Sequence, residues 1–197
     1  MEPPKITLAI PSYGLITTEC VISLVDFLTH TDLNIVTTFA QSIYIDFNRN
    51  QLVDFALKNG SSHLLFVDSD IQFPVEGLAR LLAHDKDIVG GYYNTRRGNN
   101  PIRIEGPVDP STGREGTLQP PDPLPDQLFR CRVLPTGFML IKLNCLSRLK
   151  RPFFATITHE RGTIGEDVVF CRNAHDVGIE IYCDPTIPLG HVGKKIY

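Results

Sequence analysis

The sequence predicts an α/β fold on a doubly wound, largely parallel sheet, and three observations predict it. Short apolar runs alternate with segments of helical periodicity through the first half of the chain, the pattern of parallel strands joined by crossover helices. The run Leu64-Leu65-Phe66-Val67 is apolar throughout, as a strand covered on both faces must be. With 197 residues, 42% hydrophobic and 21% charged, the chain has the size and composition of one domain with a substantial core.

Lys5 to Ile10 reads as the first strand, ended by the turn Pro11-Ser12-Tyr13-Gly14. Thr17 or Thr18 caps a helix whose apolar stripe is Cys20, Val21, Leu24, Val25, Phe27 and Leu28. Asn34 to Phe39 is β-branched and strand-like. Asn48 with Gln51 has the form of a capping box, with Leu52, Phe55 and Ala56 on the buried face and Gly60 as the stop. His63 to Val67 is the next strand. Pro74 suits the first turn of a helix that buries Val75, Leu78, Leu81 and Leu82. Asp87 to Tyr93 is a further strand, whose glycines permit close backbone approach.

The pattern breaks from Gly98 to Gln127, where seven of the fifteen prolines fall and no periodicity survives. A loop of that length is either functional or disordered. Leu128 to Lys142 then reads as a hairpin or bent strand around Pro135-Thr136-Gly137. Gly165-Glu166-Asp167 opens a helix through Asp176, closed by Gly178, and Ile179 to Tyr182 is the last strand before the tail from Leu189 to Lys195. Neither a repeat nor a linker divides the chain.

Composition narrows the function. A net charge of −3 disfavours nucleic-acid binding, which normally shows as a basic patch. No apolar stretch has the length of a membrane span, and Met1-Glu2-Pro3-Pro4 lacks the regions of a signal peptide. Five scattered cysteines without a Cys-x-x-Cys spacing argue for a reducing compartment, the cytoplasm, and against structural zinc.

Asp68-Ser69-Asp70 carries the chemistry. Two carboxylates one residue apart leave a buried strand at the sheet edge where α/β folds bind ligands, and they repel each other unless a cation stands between them. Hard oxygens suit Mg²⁺ or Mn²⁺, which bridge to substrate phosphates. The competing reading is an Asp-rich turn before a helix. Glu166 and Asp167, read alone, are a helix cap.

The order of these motifs resembles a GT-A-fold glycosyltransferase of the compact, family 2-like type found in bacteria and their phages. The resemblance rests on Ile10-Pro11-Ser12-Tyr13, Asn48-Arg49-Asn50, Phe66-Val67-Asp68-Ser69-Asp70 at the DxD position, Thr136-Gly137-Phe138-Met139, Gly165-Glu166-Asp167 and Gly190-His191-Val192-Gly193. It covers nearly the whole chain, and it lacks the Trp-containing motif of processive synthases, since the chain has no Trp.

The resemblance implies a nucleotide-sugar-binding half over 1–95, an acceptor-side loop over 98–127, and an acceptor side with a metal-binding tail over 128–197. It implies a donor such as UDP-glucose or UDP-galactose, an unidentified glycan, lipid or protein acceptor, slow donor hydrolysis, and Mn²⁺ or Mg²⁺ as cofactor. For a phage-encoded member the compartment is the host cytoplasm. Asp70 is then the direct metal ligand and His191 the second. Asp68 meets the ribose or a metal-bound water, with Ser69 as spacer. Asp167, or its neighbour Glu166, is the catalytic base. Pro11, Ser12 and Tyr13 hold the nucleotide base, while Arg49 and Asn50 reach the donor from the other side.

Three further functions compete with this one, among them a haloacid-dehalogenase-like phosphatase, which would carry its Asp-x-Asp on the first strand rather than after about three elements. A sugar-nucleotidyltransferase would need a Gly-rich phosphate loop where Pro11-Ser12-Tyr13-Gly14 stands. A non-catalytic nucleotide-sugar binder is compatible with the short length.

Overall fold

The computed structural model describes residues 3–94, 124–160 and 162–193. Along the chain run β1 (Lys5–Ser12), α1 (Thr18–His30), β2 (Asn34–Gln41), α2 (Ile45–Lys58), β3 (His63–Val67), β4 (Ile71–Gln72), α3 (Gly77–Ala83) and β5 (Ile88–Gly91). After the long segment come β6 (Phe129–Cys131), β7 (Phe138–Lys142), a 3₁₀ turn (Leu143–Arg148), β8 (Ile157–His159), β9 (Gly162–Ile164), α4 (Glu166–Asp176), β10 (Ile181–Asp184) and β11 (Gly190–His191). The segment expected as a loop over Gly98 to Gln127 lies almost wholly outside the described residues.

Seven strands form the central sheet in the order β2-β1-β3-β7-β5-β10-β6. Five run in one direction, because β1 is parallel to β2 and β3, β5 to β10, and β7 is antiparallel to both β3 and β5. The expected mixed α/β fold, with a mostly parallel sheet flanked by helices, is the fold observed. Alternation along β3 explains its apolar run. Leu64 and Phe66 enter the core layer with α2 and α4, while Leu65 and Val67 enter the layer with α1 and α3.

Several local expectations are corrected. β1 continues through Pro11 and Ser12 instead of turning after Ile10. Proline lacks the ladder donor, but β3 pairs with β1 only as far as Ala9, so nothing is lost there. In α1, Val21, Val25 and Leu28 stay exposed and only Cys20, Leu24 and Phe27 of the expected stripe are buried. Asn48 does not cap α2, which begins at Ile45, and Phe55 is on its outer face. Val75 precedes α3 and, like Leu82, is only partly buried. The expected hairpin over 128–142 is two strands in different places. β6 pairs with β10 at the edge, and β7 inserts between β3 and β5.

Gly90 permits that insertion. A Cβ there would lie 2.5 Å from the Phe138 carbonyl oxygen and 2.8 Å from Leu134 Cδ2. Gly90→Ala should therefore destabilise the fold by about 1–3 kcal/mol, the usual cost of overpacking, read as a lower urea midpoint at unchanged slope. An unchanged midpoint would mean that β5 and β7 can separate freely. No helix among the described residues is long and apolar enough to cross a membrane, and all five cysteines are free and buried.

Candidate functional site

β3 ends where the sheet opens, and hydrogen bonds fix the loop that follows. The Asp68 N–H donates to Gly137 O at 2.9 Å, the Ile71 N–H to Asp68 O at 3.0 Å, and the Thr17 N–H to Ser69 O at 2.9 Å. Beneath the loop, the Cys20 thiol donates to Asp68 O at 3.6 Å. Burial and nearby Asp70 push that thiol up to about 12, so it stays protonated and unreactive at neutral pH. The loop faces a cleft of about 170 Å³ lined by Pro11, Tyr13, Ile45, Arg49, Asp68, Ser69, Asp70 and Glu166.

Seven of the sequence-predicted residues thus meet in one cleft. Ser12 does not line it. Its hydroxyl donates to Leu15 O at 3.0 Å and accepts from Gly14 N at 2.9 Å, shaping the loop that presents the exposed Tyr13 ring. Asn50 does not line it either. Its amide donates to Asp46 O and Phe154 O at 2.8 and 2.7 Å and accepts from Phe153 N and Phe154 N at 3.0 and 3.2 Å.

Arg49 sits at the back of the cleft, 2% exposed. Nη2 donates to Asp68 Oδ1 at 2.8 Å and Nε to Glu166 Oε1 at 2.9 Å, while the guanidinium lies 5.1 Å from the Phe66 ring centroid. The two carboxylates hold its pKa above the ordinary arginine value against the cost of burial. Nη1 is buried without a hydrogen-bond partner, a donor whose desolvation is uncompensated in the free protein.

Asp70, 6% exposed, faces His191, with Nε2 3.3 Å from Oδ2. Short strands create this meeting. β11 pairs antiparallel with β4, His191 opposite Ile71, and the Val192 N–H donates to Asp70 O at 2.9 Å. Nδ1 stands 2.9 Å from Asn94 O. A carbonyl only accepts, so Nδ1 carries the proton, and a neutral ring turns the Nε2 lone pair toward a carboxylate. That contact is favourable when a proton or a cation lies between the two groups.

The donor set fits a hard divalent ion. Two ligands at right angles on an ion with bonds of about 2.1 Å are about 3.0 Å apart, close to the spacing seen. Asp68 has one oxygen committed to Arg49 and a second, Oδ2, on the Gly137 side. Among the described residues no group of three His, Cys, Asp or Glu side chains stands ready around one point, so a bound ion would depend on ligand phosphates and water for its remaining positions.

At the start of α4, Gly165 occupies the N-cap position and makes no side-chain cap. The acids therefore occupy the first turn rather than the cap, and Asp167 Oδ1 accepts from the Val168 N–H at 2.7 Å. Burial and, next, the Glu166 charge push the Asp167 carboxyl up to about 6, the range suited to a base near neutral pH. Glu166 lines the cleft and Asp167, the next residue, does not.

Sequence reasoning missed Tyr93. Its hydroxyl accepts from the Gly137 N–H at 3.0 Å, and its ring packs edge-on to His191 with centroids 5.2 Å apart. Burial and the Asp68 charge hold its pKa well above the ordinary value. The signal was a tyrosine two residues beyond the Gly90-Gly91 strand end and a third glycine, Gly137, which pattern alone does not connect.

No family model matches the chain, and no curated protein matches it. Solved structures do. A197 from STIV superposes with a TM-score of 0.66 at 21% identity, covering 96% of this chain and 86% of that one. S. aureus TarS 1-349, in complex with UDP-GlcNAc, superposes with a TM-score of 0.54 at 15% identity, covering 98% of this chain and 60% of the TarS chain. The chain thus spans about 60% of that TarS fragment. The likeness shows a shared fold.

Proposed function

We propose that this chain is a metal-dependent glycosyltransferase that moves a hexose from a UDP-sugar to an acceptor hydroxyl. The observation that carries the reading is the convergence of Asp68, Asp70, Arg49 and Glu166 on one cleft, with His191 against Asp70, in a fold shared with a UDP-GlcNAc-bound protein. Asp70 and His191 are the residues that would hold Mn²⁺ or Mg²⁺. When bound, such an ion supplies Lewis acidity against the charge of a leaving diphosphate.

The chain's own groups do the rest. Tyr13, exposed beside Pro11, offers a ring on which a uracil can stack. The unpaired Nη1 of Arg49 gains a partner if a ligand oxygen reaches it. Asp167 takes the proton of the acceptor hydroxyl as that oxygen bonds to the anomeric carbon, and the bond from that carbon to the diphosphate breaks. The acceptor is a glycan, lipid or protein, with water as a slow substitute.

A thermal-shift panel of UDP-glucose, UDP-galactose and UDP-GlcNAc, each with Mn²⁺, Mg²⁺ or EDTA, tests the donor and the ion together. A ligand that binds only the folded state raises the melting temperature by mass action. A shift that needs both UDP-sugar and metal supports the reading, and turnover of the same donor separates an enzyme from a mere binder. The absence of any shift across the panel would sink it.

A further inference from the structure

The acids after β3 and those opening α4 lie on separate segments, and one turn of α2 joins them. Three consecutive side chains do this. Asn48, fully buried, donates to Ser12 O and Ser42 O, both at 3.1 Å. Arg49 bridges Asp68 to Glu166, which is 117 residues from it in sequence. Asn50 holds Phe153 and Phe154, the stretch that leads into β8, β9 and α4. Asp46, one turn earlier, accepts from the Thr156 N–H at 3.1 Å.

Arg49 is the member of this set that touches both groups of acids. A guanidinium is a rigid planar fork, and fixing Nε on one carboxylate and Nη2 on another fixes the separation of the segments that carry them. We propose that Arg49 is a positioning residue: acting through Glu166, it locks the start of α4, and with it Asp167, at a set distance from the Asp68–Asp70 loop. Without it, Asp68, Glu166 and Asp167 are like charges in a partly dry site that has lost the guanidinium they share, and the α4 start moves away. A lysine keeps the charge but concentrates it in a single nitrogen on a flexible stem, so it cannot reproduce the fork. The activity consequence rests on the transferase reading above; the structural one does not.

The test is a double-mutant cycle of wild type, Arg49→Met, Glu166→Ala and the pair, with Arg49→Lys alongside. Two readouts are taken: UDP-sugar turnover, and amide hydrogen exchange over residues 162–169. Arg49→Met is expected to lower turnover at least about a hundredfold in the wild-type background and less than about fivefold once Glu166 is gone, since groups that act as a unit are non-additive. Exchange over 162–169 should rise in both Arg49 variants while α1 stays protected.

Independent, multiplying effects in the cycle would overturn the proposal. So would wild-type turnover and exchange in Arg49→Lys, because a point charge would then suffice. Should Arg49→Met fail to fold, Arg49→Lys with Glu166→Ala completes the cycle. Should wild type turn over no nucleotide sugar, the transferase reading falls and the exchange cycle alone decides the role of Arg49.

Discussion

Asp167→Asn should give a well-folded protein that binds UDP-sugar with Mn²⁺ and turns it over at least about a hundredfold more slowly, the scale of a lost general base. The amide preserves shape and can still accept the Val168 N–H that Asp167 Oδ1 accepts now. Only the charge is removed. Stability should move the opposite way from activity. The carboxyl sits near 6 in the folded chain against an ordinary 3.8, so between those values the folded state holds a proton that the unfolded state has released. Stability therefore falls as pH rises through that window. Asparagine never ionises and escapes the loss, so the variant should be more stable at pH 7, by at most about 3 kcal/mol.

The same carboxyl predicts a wild-type turnover that rises with pH through about 6 and a flat acid limb in Asp167→Asn. Glu166→Gln should be milder if Glu166 only receives Arg49. The reverse order would make Glu166 the base, and full activity in both variants would remove the pair from the chemistry.

Asp70→Ala and His191→Ala should each abolish the Mn²⁺-dependent stabilisation by UDP. The effect is large because ligand at a hundred times its Kd contributes about 2.7 kcal/mol, several degrees of melting temperature for a chain of this size. The two side chains are 3.3 Å apart, so a loss at either end should equal a loss at both, and EDTA on wild type should match the variants. Retention of the metal-dependent shift in one variant would strike that residue from the ligand set.

What the sequence made legible follows from where its signals are local. β3 is read correctly to the residue because both its faces are buried and Asp68 breaks the run at once. α4 is read correctly because Gly165 and Gly178 bracket it, Gly178 with φ of 77°. The cleft was legible through Asp68 and Asp70 for the same reason. β4 and β11 were not, since two-residue strands carry no periodicity, yet they bring His191 to Asp70. The inserted position of β7 was hidden as well. A five-residue apolar run says that a strand is buried, not which neighbours it takes.

Arg49 shows the limit most directly. The resemblance points Arg49 at the donor, and only the fold reveals that its partners come from the loop after β3 and from α4. Asn50, which the resemblance assigns to the donor, has its amide on backbone groups instead, a set of partners no local pattern announces.

The insertion of β7 between β3 and β5 also bears on how the protein is made. During synthesis β1, β2, β3 and β5 emerge first, and two of them present open edges to the same gap. Until Phe138 to Lys142 leaves the ribosome those edges are unpaired and apolar, the condition in which nascent chains pair with the wrong neighbour. A pause in translation between residues 91 and 138 should therefore increase aggregation more than a pause after residue 142. The centre of the sheet stays open until β7 arrives, with β10 still to follow on the far side of β5, so the cleft beside β3 takes shape only after that strand is in place.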